Sequence, residues 1–195
     1  MDPMHDTRIW YTGLVALMVV ERLAELLLSA RNARRLRARG GVEHGAGHYP
    51  LMVILHAALF LAAPAEVFLA GRRFAPWVGL PMIVLLAGTL LLRYWVIATL
   101  GDRWCTRVIV PPGEPSIAAG PYRILRHPSY TGAVLAAAGV VITLASVAGL
   151  AVIVALVVPA YLYRIRVEEE ALISGLGEEY RAYRSHTWRL IPFVF

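Results

Sequence analysis

The run TGAVLAAAGVVITLASVAGLAVIVALVVPAYLY, at residues 131–163, contains no charged residue over its whole length. As one helix it would measure roughly 50 Å at 1.5 Å per residue, whereas the hydrocarbon core of a bilayer is ~30 Å thick. Two short spanning helices joined by a turn near residues 146–149 therefore fit the run better than one long helix. Its first half is rich in small residues, among them Gly132 and Gly139, and should pack closely on a neighbouring helix.

Three more apolar blocks precede this run, at about residues 9–30, 49–70 and 76–100. Hydrophobic residues make up 58% of the 195-residue chain, more than a soluble core of this size needs. They form continuous blocks and not amphipathic stripes, which is typical of spanning helices. The sequence thus predicts an all-α integral membrane protein with five transmembrane helices, the last two forming a short helical hairpin, in a single domain covering residues 1–195.

The arginines indicate how these helices are oriented. The net charge is +6, and all nineteen basic residues are arginine. Fourteen would lie on one side of the membrane, three on the other and two inside spans, and basic residues concentrate in cytoplasmic loops. We therefore expect the N-terminus outside and the polar segments at residues 101–130 and 164–195 in the cytoplasm. A nucleic-acid partner is not expected, because the arginines lie in short loops between apolar blocks and not on a polar surface with interleaved aromatics.

The first polar segment contains the sequence GPYRILRHPSYTG at residues 120–132. Its two prolines exclude regular secondary structure through its centre, and it leads directly into the fourth predicted span. It would place His127, two tyrosines and two arginines on a stiff backbone at the mouth of the membrane. A helix cap with interfacial aromatics and cytoplasmic arginines would explain the same residues without any catalytic role, and the residues alone leave both interpretations open.

The second polar segment begins with Arg164 and continues to Glu168, Glu169 and Glu170. Arg164 and Glu168 are four residues apart and so share a helix face. A weak surface ion pair is one interpretation. A carboxylate cluster beside the bilayer is costly, however, unless it has a partner or a ligand. Glu168 could accept hydrogen bonds from the hydroxyls or the amine of a cofactor, and Arg164 could hold an anionic acceptor.

Together, the two segments resemble the isoprenylcysteine carboxyl methyltransferase family. The matching motifs are GPY at 120–122, RHPSY at 126–130, RxRxEEE at 164–170, GEEYRAY at 177–183 and LIP at 190–192. The resemblance covers residues 93–195, the expected catalytic half. ERLAE at 21–25 and HYP at 48–50 resemble a bacterial branch associated with type III polyketide synthases, which implies a bacterial inner-membrane location.

The resemblance implies an S-adenosylmethionine-dependent methyltransferase, with Arg164 holding a lipophilic acceptor in the lipid membrane and the cytoplasmic C-terminal segment completing the cofactor site. Eight residues are implied as contacts of S-adenosylmethionine: Glu114, Ile117, Tyr122, His127, Pro128, Ser129, Tyr130 and Glu168. The PPG run at residues 111–113 departs from members that act on prenylated proteins. The expected reaction is therefore O-methylation of an alkylpyrone or alkylresorcinol lipid, with carboxyl methylation of an isoprenylcysteine-like substrate as the other option.

Two other functions are kept as alternatives. A membrane reductase of the sterol-reductase type, using NADPH, has a similar C-terminal half, but such proteins have more spans and a different polar signature. A non-catalytic transporter or scaffold is the second alternative. A transporter should contain repeated halves or broken helices with polar midplane residues, and the sequence contains neither.

Charged residues inside the predicted spans form a further candidate set. Glu21 and Glu25 in the first span and Arg93 in the third lie at matching depth. This spacing predicts a buried ion pair, which either serves function or locks two helices together.

The remaining residues that could carry chemistry are one cysteine and three histidines. Cys105 has no neighbouring base in the sequence and is interpreted as structural. His44, His48 and His56 have no carboxylate at ligand spacing on a predicted helix, so no metal is expected.

Overall fold

The computed structural model describes residues 3–69, 71, 76–143 and 153–194, and most of them are helical. The helices and strands are α1 (Pro3–Ala38), β1 (Val42–His44), α2 (Tyr49–Leu69), α3 (Pro76–Leu100), β2 (Val108–Val110), α4 (Pro128–Thr143), α5 (Val158–Leu176) and α6 (Glu178–Ser185). Short 3₁₀ turns lie at Ala46–His48, Gly101–Arg103 and Gly120–Arg123, and a π-helical turn at Ile153–Val157 precedes α5. The prediction of a mainly helical protein is confirmed, while the turn predicted at residues 146–149 lies outside the described residues.

Among the described residues, one helical stretch, Pro76–Arg103, is long and apolar enough to cross a bilayer. Large apolar side chains along it, such as Trp77, Val84 and Leu91, are exposed on the outside of the protein. Exposed side chains of this kind suit a lipid environment, in which apolar surface has no reason to be buried. The five predicted spans and their orientation stay predictions from the sequence.

Helix α4 packs along α3 through its glycines. A Cβ atom added at Gly132 would lie 3.7 Å from the Leu92 side chain, and one added at Gly139 would lie 3.4 Å from the Leu85 side chain. The backbone of α4 thus approaches the leucines of α3 to van der Waals contact, as small residues allow between membrane helices. The close packing predicted for these glycines is confirmed.

Helix α1 extends beyond the predicted end of the first span and is closed by two glycines. Gly40 adopts a left-handed conformation (φ 82°), and its N–H donates to the Arg37 carbonyl at 3.0 Å. The Gly41 N–H donates to the Leu36 carbonyl at 2.9 Å. These two bonds satisfy carbonyls that the helix end leaves open and turn the chain toward β1.

A two-stranded antiparallel sheet follows this turn. In it Val42 of β1 lies opposite Val110 of β2, and His44 lies opposite Val108. The prediction of an all-α protein is wrong on this point. Three-residue strands are too short to show an alternating pattern, and their pairing joins segments that are far apart in the chain.

Polar side chains of α1 hold the loop between α3 and β2. The buried Asn32 amide donates to the carbonyls of Gly101 at 3.2 Å and Trp104 at 2.8 Å. The Ser29 hydroxyl oxygen accepts the Thr106 N–H at 2.9 Å and lies 2.8 Å from the Thr106 hydroxyl. Because a buried polar group left unpaired costs ~1–3 kcal/mol, these bonds hold the loop in one position against α1.

Helices α2, α4 and α5 meet in an apolar cluster. Its buried members are Met52, Ile153, Val157 and Tyr161. Pro159 has no N–H to donate to the carbonyl four residues earlier, so a regular α-helix cannot run unbroken from the π-helical turn into α5. The turn therefore sets where α5 starts and which of its residues face α2 and α4.

The charged residues inside α1 and α3 pair as predicted. Glu25 is 5% exposed and accepts hydrogen bonds from Arg93 of α3 and, at 2.7 Å, from Arg22 of its own helix. One turn earlier, Glu21 has a buried carboxylate oxygen with no hydrogen-bond partner among the described residues. A carboxylate inside a predicted span needs a cation as its partner. For Glu25 one such cation is Arg93, and this contact joins α1 to α3. The predicted pairing of Arg93 with a glutamate of α1 is confirmed, and the structure shows that this glutamate is Glu25.

Gly120 supplies a test of the packing between α3 and the loop that precedes α4. Gly120 is left-handed (φ 54°), and a Cβ atom there would lie 2.5 Å from Thr99 Oγ1 and 3.0 Å from Trp95 Nε1. Gly113 is also left-handed (φ 72°) but has nothing within 4 Å of the corresponding position. Gly120→Ala should lower the free energy of unfolding by roughly 2–5 kcal/mol, from backbone strain and overpacking together. Gly113→Ala should cost about 1–2 kcal/mol from strain alone.

Thermal unfolding in detergent, followed by circular dichroism, measures both variants against the wild type. Equal shifts for Gly120→Ala and Gly113→Ala would contradict the close approach to α3.

Candidate active site

A proline corner starts α4 and aims its first side chains toward α5. Pro128 occupies the first helical position, where the missing N–H is not needed. The His127 carbonyl accepts the N–H groups of Tyr130 at 3.1 Å and Thr131 at 3.2 Å. The RHPSY motif therefore forms the first turn of α4 and the residues that cap it.

The C-terminal tail runs alongside this corner. The Trp188 N–H donates to the Ile124 carbonyl at 2.9 Å, and the Arg126 N–H donates to the Trp188 carbonyl at 2.7 Å. The His127 N–H then donates to the Arg189 carbonyl at 3.2 Å. Through these backbone bonds the tail and the RHPSY segment hold each other in register.

Glu169 of α5 lies between the corner and the tail. Its carboxylate is 4% exposed and accepts hydrogen bonds from Arg126 Nε at 3.0 Å and from the Arg189 guanidinium at 2.7 Å. His127 Nε2 lies 3.3 Å from the same carboxylate. Burial alone would raise the pKa of Glu169, but the hydrogen bonds from His127 and Arg189 lower it from its ordinary value near 4.5 to about 2. Glu169 is thus a buried anion that binds three segments together.

Arg164, Tyr130 and Glu168, the residue before Glu169, form a hydrogen-bonded chain. Arg164 Nε donates to the Tyr130 hydroxyl at 2.7 Å, and that hydroxyl donates to Glu168 Oε2 at 2.5 Å. The Arg164 guanidinium also donates to the Thr106 carbonyl at 2.5 Å. Arg164 is 6% exposed, so a cation is held at a defined place by the loop that α1 anchors.

Aromatic rings line the space beside this chain. The His127 ring stacks on Tyr130 with centroids 5.5 Å apart and an interplanar angle of 20°. Tyr122 lies nearby on the turn before α4. Burial raises the pKa of the Tyr122 phenol well above its ordinary value, and the Glu168 carboxylate adds to the effect. The phenol of Tyr122 therefore stays protonated and can act as a hydrogen-bond donor.

A cavity of about 270 Å³ opens between these groups and helices α1 to α3. Six of the residues predicted from the sequence line it: Tyr122, His127, Ser129, Tyr130, Arg164 and Glu168. The structure brings them together from the turn before α4, the start of α4 and one face of α5. The arrangement unites a fixed cation, a fixed carboxylate and several hydroxyl groups in one space.

Three of the predicted residues do not line the cavity. Pro128 is fully buried beneath the corner. The Glu114 carboxylate pairs with Arg103 Nε at 2.7 Å, away from the cavity. Ile117 lies in the same loop, next to Ser116, whose backbone N–H donates to Glu179 of α6 at 2.7 Å. Contacts of Glu114 and Ile117 with a cofactor stay predictions that depend on their backbone.

The cavity is also lined by residues that the sequence did not indicate as part of the site. They come from α1, α2, α5 and the loop after α3, and include Arg22, Leu26, Tyr49, Met52, His56, Trp104, Thr106 and Tyr161. Two of these residues have a feature in the sequence that could have indicated a role in the site. Tyr161 lies one turn before Arg164 on the same helix, and His56 is a polar side chain inside an apolar block, a placement that is functional by default.

Cys105 also lines the cavity but is held as a structural thiol. Its Sγ donates to the Arg107 carbonyl at 2.8 Å. Burial raises the pKa of this thiol to about 11, which keeps it protonated and unreactive near neutral pH. Among the described residues no group of three or more His, Cys, Asp or Glu side chains could hold a metal ion, and the absence of a metal stays a prediction.

The fold is shared with a known membrane enzyme. The solved structure of the eukaryotic intramembrane Ras methyltransferase, isoprenylcysteine carboxyl methyltransferase (ICMT), superimposes on 74% of this chain with a TM-score of 0.56 and 24% sequence identity. The chain spans 53% of the length of that enzyme. The match shows an ICMT-like helical fold.

Sequence comparisons identify the family. The profile of the isoprenylcysteine carboxyl methyltransferase (ICMT) family matches residues 80–174. The YpbQ protein of Bacillus subtilis, described as uncharacterised, is 32% identical over 123 residues, which make up 63% of this chain and 72% of that protein. A Haemophilus influenzae protein, also described as uncharacterised, is 25% identical over 115 residues, or 59% of this chain and 66% of that protein. The chain belongs to the ICMT family.

The buried anion gives a prediction with a defined pH dependence. Glu169→Gln removes the charge that Arg126 and Arg189 face and should lower the free energy of unfolding at neutral pH by roughly 3–5 kcal/mol. Because the pKa of Glu169 is lowered on folding, its stabilising effect is complete above pH 4.5 and is lost as the pH falls toward about 2. The difference between wild type and Glu169→Gln should therefore shrink over that range.

The neighbouring Glu170 is exposed, so Glu170→Gln is the matched control and should change stability little. Unfolding in detergent at several pH values gives the stability. Hydrogen–deuterium exchange gives the protection of residues 186–194, which should fall only in Glu169→Gln. A constant difference between wild type and variant at all pH values would show that the Glu169 charge does not hold the tail.

Proposed function

We propose that this protein is an integral membrane methyltransferase that transfers the methyl group of S-adenosylmethionine to a lipophilic acceptor. The observation that carries the proposal is the convergence of six family-matched residues on one cavity. They come from segments up to 46 residues apart, from Tyr122 to Glu168, and nothing in a helix cap or a surface ion pair requires them to meet. Membership of the ICMT family supports the same reaction class.

The polar groups at the corner of α4 and α5 suit the donor. The Glu168 carboxylate is 28% exposed and lines the cavity. One of its oxygens accepts the Tyr130 hydroxyl, and further lone pairs remain for ribose hydroxyls or for the donor's amine. The rings of Tyr122 and His127 offer flat surfaces beside it. Ser129 adds a hydroxyl to the same wall.

Arg164 suits the acceptor. Its guanidinium is fixed by Tyr130 and by the Thr106 carbonyl, so it need not reorganise when negative charge develops on an acceptor oxygen. S-adenosylmethionine supplies a methyl group on a positively charged sulfur, which needs no metal to activate it. The protein's part is to hold donor and acceptor in line and to exclude water.

The acceptor class follows from the branch that the sequence resembles. We propose O-methylation of an alkylpyrone or alkylresorcinol lipid, with the apolar walls from α1 and α2 taking the alkyl chain. Carboxyl methylation of an isoprenylcysteine-like acceptor would use the same Arg164. The apolar lining around Leu26, Met52 and Val53 supports a greasy acceptor of either kind.

The membrane arrangement belongs to the same proposal. We infer five spans, the N-terminus outside and the cavity open to the cytoplasmic side of a bacterial inner membrane. The support is the fourteen-to-three distribution of arginines. S-adenosylmethionine is a soluble cytoplasmic molecule, so a donor site on that side is also chemically required.

Two substitutions separate donor binding from acceptor chemistry. Glu168→Gln should weaken S-adenosylmethionine binding ten- to hundredfold, about 1.5–3 kcal/mol, because a charged hydrogen-bond acceptor is lost. Arg164→Lys keeps the positive charge but loses the planar fork, so methyl transfer should fall at least tenfold while donor affinity changes less than threefold.

Calorimetry in detergent measures donor binding, and NADPH should give no signal. Glu170→Gln is the control for Glu168→Gln, since Glu170 is the exposed carboxylate two residues further on. Unchanged affinity in Glu168→Gln would place the donor elsewhere. Loss of donor binding in Arg164→Lys, with normal turnover at saturating donor, would reverse the roles of the two residues.

Single cysteines introduced in a Cys105→Ser background test the orientation. A membrane-impermeant maleimide added to intact cells should label Gly71→Cys. It should leave Ala118→Cys and Ser185→Cys unlabelled until the membrane is opened, because both exposed positions lie in segments assigned to the cytoplasm. The opposite pattern would invert the proposed topology.

A further inference from the structure

A histidine and a tyrosine that both line the cavity form a hydrogen bond with each other. Tyr161 Oη lies 2.8 Å from His56 Nε2, and both residues line the cavity. His56 is half-buried in α2 and Tyr161 is 5% exposed in α5. The two rings meet edge to face with centroids 5.9 Å apart. Neither residue belongs to the motifs assigned to the donor or to Arg164.

The hydrogen-bond partners decide which atom carries each proton. His56 Nδ1 lies 2.6 Å from the Met52 carbonyl oxygen, which can only accept, so Nδ1 carries the proton of the neutral ring. Nε2 is then an acceptor, and the Tyr161 hydroxyl donates to it. The lone pairs of the Tyr161 oxygen are left for a hydroxyl group that enters the cavity.

This pair lies next to the place where an acceptor oxygen would react. Tyr161 is one turn before Arg164 on α5, and its ring packs on the Tyr130 ring with centroids 5.3 Å apart. Tyr130 in turn bonds both Arg164 and Glu168. An acceptor oxygen held near Arg164 would therefore also lie near the Tyr161 hydroxyl.

Three cations line the same cavity as His56. They are Arg22 of α1, Arg93 of α3 and Arg164 of α5. Arg22 and Arg93 are themselves paired with Glu25, while Tyr161 faces the ring directly. A positively charged lining of this kind favours an anion in the cavity.

We propose that Tyr161 and His56 form a proton relay that ionises the acceptor, and that the acceptor is consequently a neutral phenol or enol and not a carboxylate. The proposal rests on the proposed methyltransferase function. The acceptor hydroxyl gives its proton to the Tyr161 oxygen while Tyr161 gives its own proton to His56 Nε2. The acceptor oxygen forms a bond to the methyl carbon, the bond from that carbon to sulfur breaks, and its electron pair stays on sulfur.

After transfer the products are a methyl ether, S-adenosylhomocysteine and a protonated His56, which loses its proton to water that enters as the product leaves. A carboxylate is already an anion at neutral pH and has no use for such a relay. A phenol, with a pKa near 10, does need one. The relay therefore discriminates between the two acceptor classes that Arg164 alone accommodates equally.

Two variants test the relay without changing the shape of the site. Tyr161→Phe removes only the hydroxyl. His56→Gln can still accept a hydrogen bond from Tyr161 but cannot take up a proton. Tyr163→Phe is the matched control, because Tyr163 lies on the same helix and is exposed. The probes are 5-pentadecylresorcinol and N-acetyl-S-farnesylcysteine in detergent, with methyl-labelled S-adenosylmethionine.

The wild type should methylate the resorcinol, with a rate that levels off above about pH 6.5, where histidine is neutral. Both variants should lose about 100-fold or more at pH 7. Their remaining rate should rise about tenfold per pH unit toward the pKa of the resorcinol, since the phenol then ionises without help. Donor affinity by calorimetry should stay within threefold of wild type in all three variants.

Failure of the relay and failure of the proposed function give different results. A wild type that binds no S-adenosylmethionine rejects the proposed function. A wild type that binds the donor but methylates only farnesylcysteine, or leaves the resorcinol unmodified, overturns the relay. A wild-type rate that keeps rising up to pH 9 would also overturn the relay, and this measurement requires no variant. Equal pH profiles for wild type and His56→Gln would reduce the pair to a structural contact between α2 and α5.

Discussion

The buried carboxylate of Glu169 is the constraint on which the candidate site depends. It is nearly inaccessible to water, and a charge in that position is tolerated only while cations and donors surround it. Arg126 and His127 supply them from the corner of α4, and Arg189 supplies one from the tail. The requirement to satisfy one anion thus fixes α5, the RHPSY segment and the C-terminal tail relative to each other. The predicted residues that face the cavity lie on or next to these segments.

Tyr130 connects the RHPSY segment with the residues of α5 that face the cavity. Its hydroxyl lies between Arg164 and Glu168, so the cation assigned to the acceptor and the carboxylate assigned to the donor are positioned by one side chain. Arg164 is also tied to Thr106, in a loop that Ser29 of α1 holds. The groups proposed to bind the donor and the acceptor are therefore joined by hydrogen bonds within the protein itself. Such preorganisation suits the proposed methyl transfer, because the donor's sulfonium already supplies the reactivity and alignment is the remaining requirement.

The sequence by itself determined the family of the protein and the main residues of the candidate site. Uncharged apolar blocks predicted helices, and small residues such as Gly132 predicted where they pack. Arg93 was predicted to pair with Glu21 or Glu25 because a charge inside a span needs a partner. The GPY, RHPSY and RxRxEEE motifs led to the family and to six residues that line one cavity. These features are visible in sequence because each is local: a run of composition, a proline corner, or a spacing of three or four residues on one helix face.

Only the tertiary structure decided the rest. Three successive glutamates look alike in sequence, but the direction of α5 buries Glu169, leaves Glu168 at the cavity and exposes Glu170. The β1–β2 sheet, the anchoring of Thr106 by Ser29 across 77 residues and the pairing of Tyr161 with His56 across 105 residues join segments with no shared periodicity. Such pairings depend on how helices cross and on which buried polar groups must be satisfied. Those conditions are properties of the packed chain, and no single stretch of sequence contains them.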